Sequence, residues 1–251
     1  VELIVLGIAQ DGGLPHLGCD RACCVGARRT GRRLTPACLG IHDPETGGLL
    51  LIEATPEVEA QTARLHRLTG TGGRGRRPVD GILLTHAHLG HYLGLAHLGR
   101  EAAAADGIEL YVSPAMHTFL GGNRPWSRLF EEGRLRSATF EPGRPFAPLP
   151  GLEVTAINVP HRDEDSDTVA FRLRGPRRTV LFLPDVDRWG PPPGLLAEVV
   201  RGVDVAYLDG TFHDAGELEG RDPRRVPHPT MVETMALLER ESPRPGAAVR
   251  F

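Results

Sequence analysis

Leu84-Thr85-His86-Ala87-His88-Leu89-Gly90-His91 places three histidines within six residues, directly behind the apolar run 79–84. A short apolar run bounded by turn residues reads as a buried strand. The junction after such a strand lies at the open edge of a sheet, where layered α/β proteins hold their ligands. His86 and His88, two apart in an extended turn, can point their rings at one spot, and His91 follows at the start of the next helix. Neutral imidazoles suit zinc, iron and similar ions. A single histidine is more often a satisfied surface or core residue. Three crowded behind one hydrophobic strand point to metal.

Outward from this stretch, strand and helix patterns alternate, as in an α/β protein. Residues 1–8 read as a strand ending in the turn Asp11-Gly12-Gly13, and 37–42 and 49–53 as a hairpin around Asp43-Pro44-Glu45-Thr46-Gly47-Gly48. Residues 56–68 carry helical spacing, with Thr55 as N-cap and Pro56 in the first helical position. An Ala-rich helix is expected from the histidines to about Ala105, and further strands at 109–112, 152–159, 168–173, 179–183 and 203–208. Helices are expected from Pro114, from Pro193 and over 231–240, with a last strand beginning at 247–251. With no repeat and no long linker, residues 1–251 read as a single domain carrying a cysteine-bearing loop at about 10–30.

The bulk composition narrows the classes. Of 251 residues, 40% are hydrophobic, enough for a core. The net charge of −3 argues against a general nucleic-acid binder. All of the basic side chains are arginine, and Arg74, Arg76 and Arg77 read as a solvated loop. No apolar run is long enough to span a membrane, and residues 1–6 lack the basic flank of a signal peptide, so a cytoplasmic location is expected.

The segment from Thr85 to His91 resembles the His-X-His-X-Asp-His signature of the metallo-β-lactamase superfamily. The resemblance implies a four-layered αβ/βα sandwich with its metals at one edge, and His86 and His88 as ligands. Gly90 stands where the family has an acidic ligand of the second metal. His161, in Val159-Pro160-His161, resembles the third ligand of the first metal; the residues alone also allow a solvated loop histidine. Asp185 resembles the carboxylate bridging two metals, or it caps a turn. His228, in His228-Pro229-Thr230, resembles the histidine that passes a proton to the leaving group in phosphodiesterase branches, including the tRNA 3′-end nucleases. A helix-start residue without chemistry and a direct ligand are its other readings. The resemblance puts one more metal histidine just beyond a final strand, past Phe251 of this sequence. With Gly90 in the acidic position, the expectation is one firmly held ion on His86, His88 and His161, with His91 belonging to an under-supplied second position.

Cys19, Cys23 and Cys24 crowd the stretch Gly18-Cys19-Asp20-Arg21-Ala22-Cys23-Cys24. It resembles the N-terminal cysteine loop of two groups, the pyrroloquinoline quinone biosynthesis protein B group and the cyclic phosphodiesterase of the phosphonate pathway. In those groups the loop holds a structural zinc, which the resemblance assigns here to Cys19, Cys23 and Cys24, with His16 as a candidate fourth ligand; reduced thiols in a mobile loop are the alternative. Tyr207-Leu208-Asp209-Gly210-Thr211-Phe212 resembles an element of the quinone-biosynthesis group.

The function these signals imply is metal-dependent hydrolysis of a phosphodiester, ester, lactone or amide, with catalytic roles for His228, Asp185 and His91. Zinc is the expected ion, one or two in the active site and one structural, with iron or manganese as active-site alternatives. The alternative function, implied by the quinone-biosynthesis resemblance, is an iron-dependent oxygenase. The expected partner is a small-molecule or peptide substrate, and a homodimer is among the allowed assemblies.

Overall fold

The computed structural model describes residues 1–190, 193–218, 226–241 and 248–251. The chain gathers into two compact units, Val1–Phe140 and Glu141–Phe251. In the first, β1 (Glu2–Gly7), β2 (Cys38–Asp43) and β3 (Gly48–Ile52) form an antiparallel meander. β4 (Gly81–Leu83), β5 (Ile108–Val112) and β6 (Leu135–Thr139) then extend it in parallel, giving the order β1-β2-β3-β4-β5-β6. The sheet carries α1 (Ala22–Thr30), α2 (Val58–Thr69), α3 (Leu89–Tyr92), α4 (Pro114–Gly122) and α5 (Trp126–Glu131). Every residue of β2 and β3 is buried, which is why they read as continuous apolar runs rather than alternating ones.

The second unit repeats the plan, antiparallel strands first and parallel ones after. β7 (Pro145–Leu149), β8 (Leu152–Asn158), β9 (Val169–Arg174) and β10 (Thr179–Leu183) are antiparallel. β11 (Val205–Leu208) and β12 (Ala248–Arg250) continue in parallel beyond β10, with α6 (Leu195–Val199) and α7 (Met231–Glu241) beside them. Residue 247, where the sequence places the start of the last strand, lies outside the described residues. Each unit has its own core. Leu51, Leu65, Ile82, Leu95 and Leu110 centre the first, and Leu181, Leu183, Trp189, Leu196 and Leu208 the second. Truncating one such leucine to alanine removes about 2–5 kcal/mol. Among the described residues, no helix is long and apolar enough to cross a membrane.

Three local expectations are corrected. Residues 22–30, expected within a loop, form α1, whose C-terminal Gly31 takes a left-handed φ of 69°. α2 begins at Val58, because Thr55 spends its hydroxyl accepting from the Glu57 backbone N–H (3.1 Å) in a turn that precedes the helix. The Ala-rich helix after the histidines does not form. α3 gives way at once to a 3-10 turn at Leu93–Leu98, and residues 100–103 are a further turn, followed by Ala104 with φ 45°.

At the break, the Gly94 backbone runs hard against the segment that follows β3. A Cβ built there would lie 2.1 Å from the Thr55 carbonyl oxygen and 2.7 Å from that of Ala54. Neither backbone atom can move aside without disturbing β3. Gly94→Ala is therefore expected to destabilise the protein by about 1–3 kcal/mol, seen as a lower urea midpoint at an unchanged m-value.

Candidate metal centre and catalytic cleft

Parallel pairing of β3 and β4 sets Ile52 opposite Leu83, so the two strands end together. Glu53 and Thr85 emerge side by side at that carboxyl edge, with the Glu53 N–H bonded to the Leu83 carbonyl (2.9 Å). Glu53 is fully buried and holds a left-handed φ of 80°, a conformation that non-glycine residues keep only where their surroundings over-determine it. Here the surroundings are the Thr85 donors and the His91 ring. Thr85 gives its hydroxyl proton to Glu53 Oε1 (2.6 Å), and its N–H approaches Oε2 (3.4 Å). His91 Nδ1 stands 3.2 Å from Oε1. Burial pushes the Glu53 carboxyl above the ordinary range, against the charge and hydrogen bonds of His91 and the Thr85 donors, which pull it down.

These contacts settle one tautomer. The single hydroxyl proton of Thr85 goes to Glu53, so its oxygen accepts from His86 Nδ1 (2.8 Å). His86 therefore carries its proton on Nδ1 and presents a lone pair at Nε2. That atom lies 2.9 Å from His88 Nδ1. The His86 and His91 rings stand 4.1 Å apart, centroid to centroid. His86 and His91 are buried and His88 is half-buried. Neutral imidazoles whose far nitrogens are held by carboxylates or hydroxyls are the arrangement metal-binding histidines adopt. The donor chemistry of this edge fits zinc or iron.

The second unit builds its edge by the same rule. Parallel pairing of β10 and β11 sets Leu183 opposite Leu208, and Asp185 and Asp209 follow those residues. Asp209 is fully buried. Its Oδ1 accepts the Thr211 N–H (3.0 Å), and its Oδ2 accepts the Val186 N–H (3.0 Å) and His228 Nδ1 (2.6 Å). Asp185, His228 and Asp209 offer donor atoms close enough for an ion. The two oxygens of Asp209 each accept a backbone N–H, and Oδ2 also takes the His228 ring, so Asp209 is the hydrogen-bond partner of His228. Burial alone would lower the His228 pKa; the hydrogen bond and charge of Asp209, aided by Asp185, outweigh it and hold the ring above the usual histidine value. His161 is buried, with Nδ1 2.9 Å from Asp187 Oδ1, and its ring centroid is 5.4 Å from that of His228.

The start of α7 holds His228 in place. The Thr230 hydroxyl accepts the Glu233 N–H (3.1 Å), and Glu233 Oε2 accepts the Thr230 N–H (2.8 Å), a capping box that opens the helix. Trp189 Nε1 donates to the buried Thr234 hydroxyl (2.8 Å) and pins the helix. Together they shape an open cleft of about 980 Å³, lined by Arg162, Asp187, Trp189, His228 and Leu237 among others. Arg162 Nε is buried there, with no hydrogen-bond partner among the described residues.

The cysteines are not brought together. On α1 the Cys24 side chain turns inward, where Sγ accepts the His16 N–H (3.3 Å), while Cys23 faces solvent and Cys19 lies half-buried ahead of the helix. Neighbours on a helix diverge by about 100°, so the helix that replaces the expected loop separates Cys23 from Cys24. Among the described residues, no group of converging donors includes a cysteine. Cys38 is equally unsuited, since burial first and then the charge of Glu53 push its thiol well above the ordinary range.

Sequence reasoning missed Glu53, Asp11, Asp187 and any role for Asp209. Glu53 was open to notice as an acid closing a fully apolar strand; the others sit in turns that give no local signal.

Residues 49–246 match the family model described as the beta-lactamase superfamily domain. The chain belongs to the metallo-β-lactamase superfamily. The family's fold is the one described, two mixed six-stranded sheets with flanking helices. Coenzyme PQQ synthesis protein B of Ruegeria pomeroyi is 30% identical over 235 residues, covering 87% of this chain and 75% of that protein. Among solved structures, zinc-bound PqqB from Methylobacterium extorquens has a TM-score of 0.75 at 22% identity, over 91% of this chain and 81% of its own. A diphosphatase of the PhnP family has a TM-score of 0.65 at 22% identity, over 95% and 81%.

Proposed function

We propose that the protein is a metal-dependent hydrolase of a phosphodiester, with its principal ion held by His86, His88 and His161. The observation that carries this reading is the treatment of the histidine rings. His86 and His161 each have Nδ1 held by a hydroxyl or carboxylate, which directs Nε2 outward as a lone-pair donor. When bound, the ion would lower the pKa of a water and polarise the substrate oxygen. Asp185, beside His228, would orient that water. His228, whose protonated form Asp209 favours, would give its proton to the leaving oxygen. The buried Arg162 Nε, in the cleft that His228 lines, favours an anionic substrate over a neutral ester, lactone or amide.

The test is turnover of bis(p-nitrophenyl) phosphate against p-nitrophenyl acetate, a lactone and a β-lactam, using zinc-loaded protein. Preferential phosphodiester cleavage is expected; equal or better cleavage of the neutral substrates would overturn the phosphodiester assignment. The identity with a coenzyme PQQ synthesis protein favours one second reading, an iron-dependent oxygenase. Stoichiometric iron in protein purified without added metal, oxygen uptake and no hydrolysis would install that reading in place of the first.

A further inference from the structure

Gly90 removes the carboxylate that the family motif supplies between His88 and His91. The structure fills the place it leaves. A Cβ built on Gly90 would lie 2.2 Å from Asp11 Cγ and 2.4 Å from Asp11 Oδ1. The Asp11 carboxylate thus occupies the two-bond reach that separates a Cβ from its carboxylate oxygens in an aspartate at position 90. Only a residue without a side chain permits this approach. Gly90 and Asp11 are therefore complementary, and an ordinary residue at 90 would evict the carboxylate.

Asp11 is also aimed. Its Oδ1 stands 3.2 Å from His91 Nε2, while His91 Nδ1 faces the buried Glu53. Two donors of one tetrahedral zinc, each at about 2.1 Å, lie about 3.4 Å apart. The 3.2 Å between Nε2 and Oδ1 suits two ligands of one ion, and suits equally the ion pair of a protonated His91 with Asp11. Among the described residues, the groups of three converging donors do not include Asp11. The Asp11-Gly12-Gly13 turn delivers the group. Leu14 and Leu34 pair through both backbone bonds (2.9 Å each), and the Gly13 N–H closes the turn onto Gln10 (2.7 Å).

We propose that Asp11, from the first loop of the chain, replaces the missing acid at position 90 as the carboxylate donor of a second metal position shared with His91. This rests on the reading of the histidine edge as a metal centre. It also changes the expectation of a single well-held ion, since the donor lost from one segment is restored from another.

Zinc titrated calorimetrically into chelator-stripped protein separates the possibilities without reference to activity. The wild type is expected to take up two zinc ions per chain. Asp11→Asn, which keeps the shape of the residue, is expected to take up one, the second binding weakening beyond the roughly 10–100-fold that removal of an outer-shell partner produces. Asp11→Ala with Gly90→Asp, which moves the carboxylate back to the family position, is expected to regain the second ion. Far-UV circular dichroism and thermal unfolding of each stripped protein establish that the variants are folded. If Asp11→Asn keeps two ions at wild-type affinity, or if the wild type binds only one, Asp11 is not a ligand and the inference falls alone. If the double variant stays at one ion, positions 11 and 90 are not equivalent and the proposal is overturned. If the wild type binds no zinc, the metal-centre reading fails with it.

Discussion

Glu53→Ala is expected to lower zinc affinity by more than about 100-fold and to destabilise the metal-free protein. Glu53 touches neither a substrate nor, on this reading, an ion. It holds His91 directly and His86 through the Thr85 hydroxyl. Removing one outer-shell partner of a metal ligand weakens binding about 10–100-fold, and here two ligand rings lose their anchor together. The buried Thr85 and His91 donors are also left without their acceptor, at about 1–3 kcal/mol for each unpaired group. Competition against a chromogenic chelator measures the first effect, and urea unfolding of the stripped protein the second. Glu53→Gln keeps the shape and one acceptor oxygen, so an intermediate loss is expected. Wild-type zinc affinity in Glu53→Ala would show that the rings are held by something else.

Asp209→Asn is expected to lower kcat for phosphodiester cleavage by about 10²–10⁴-fold, with KM much less affected. The carboxylate oxygens each accept a backbone N–H, and one also takes the His228 ring. An asparagine in either orientation turns its NH2 toward one of those donors, so the fit at His228 is spoiled. The pH dependence carries the distinguishing sign. Asp209 raises the His228 pKa above its ordinary value. The protonated ring, the proton donor, therefore persists to higher pH and is lost as pH rises through that raised pKa. Without the charge of Asp209 the pKa falls, and the alkaline limb of the rate profile moves to lower pH. An unmoved limb, with kcat reduced, would assign Asp209 to structure alone and remove His228 from proton transfer.

Much of the architecture was readable because its causes are local. β3 and β10 are apolar runs bounded by Gly, Pro and Asp, and both appear where those runs are. α4 begins at Pro114 with Ser113 as its cap, its hydroxyl accepting the Met116 N–H (3.1 Å). β6 and β7 were not legible. β6 carries only one buried residue, Leu135, and β7 carries two prolines and buries only Leu149, so neither shows a strand's hydrophobic signal. The cysteine segment was expected to be a loop. Its spacing resembled a metal loop, but the Ala-Cys-Cys-Val-Gly-Ala-Arg run folds as a helix that points adjacent thiols in different directions.

The histidines His86, His88 and His91 were visible from the start, because histidines packed behind one strand need no tertiary information to be found. Their meaning was not visible. Glu53 reaches Thr85 and His91 only after β3 and β4 have paired, since parallel pairing aligns carboxyl ends that the chain order separates. Asp187 and Asp209 meet His161 and His228 across 26 and 19 positions of the chain. Position 90 shows the division most sharply. The sequence by itself determined that a donor is missing there, since glycine has no side chain. Only the folded chain decided what occupies the space, because it alone brings the Asp11 turn against the Gly90 backbone, where any Cβ would have kept it out.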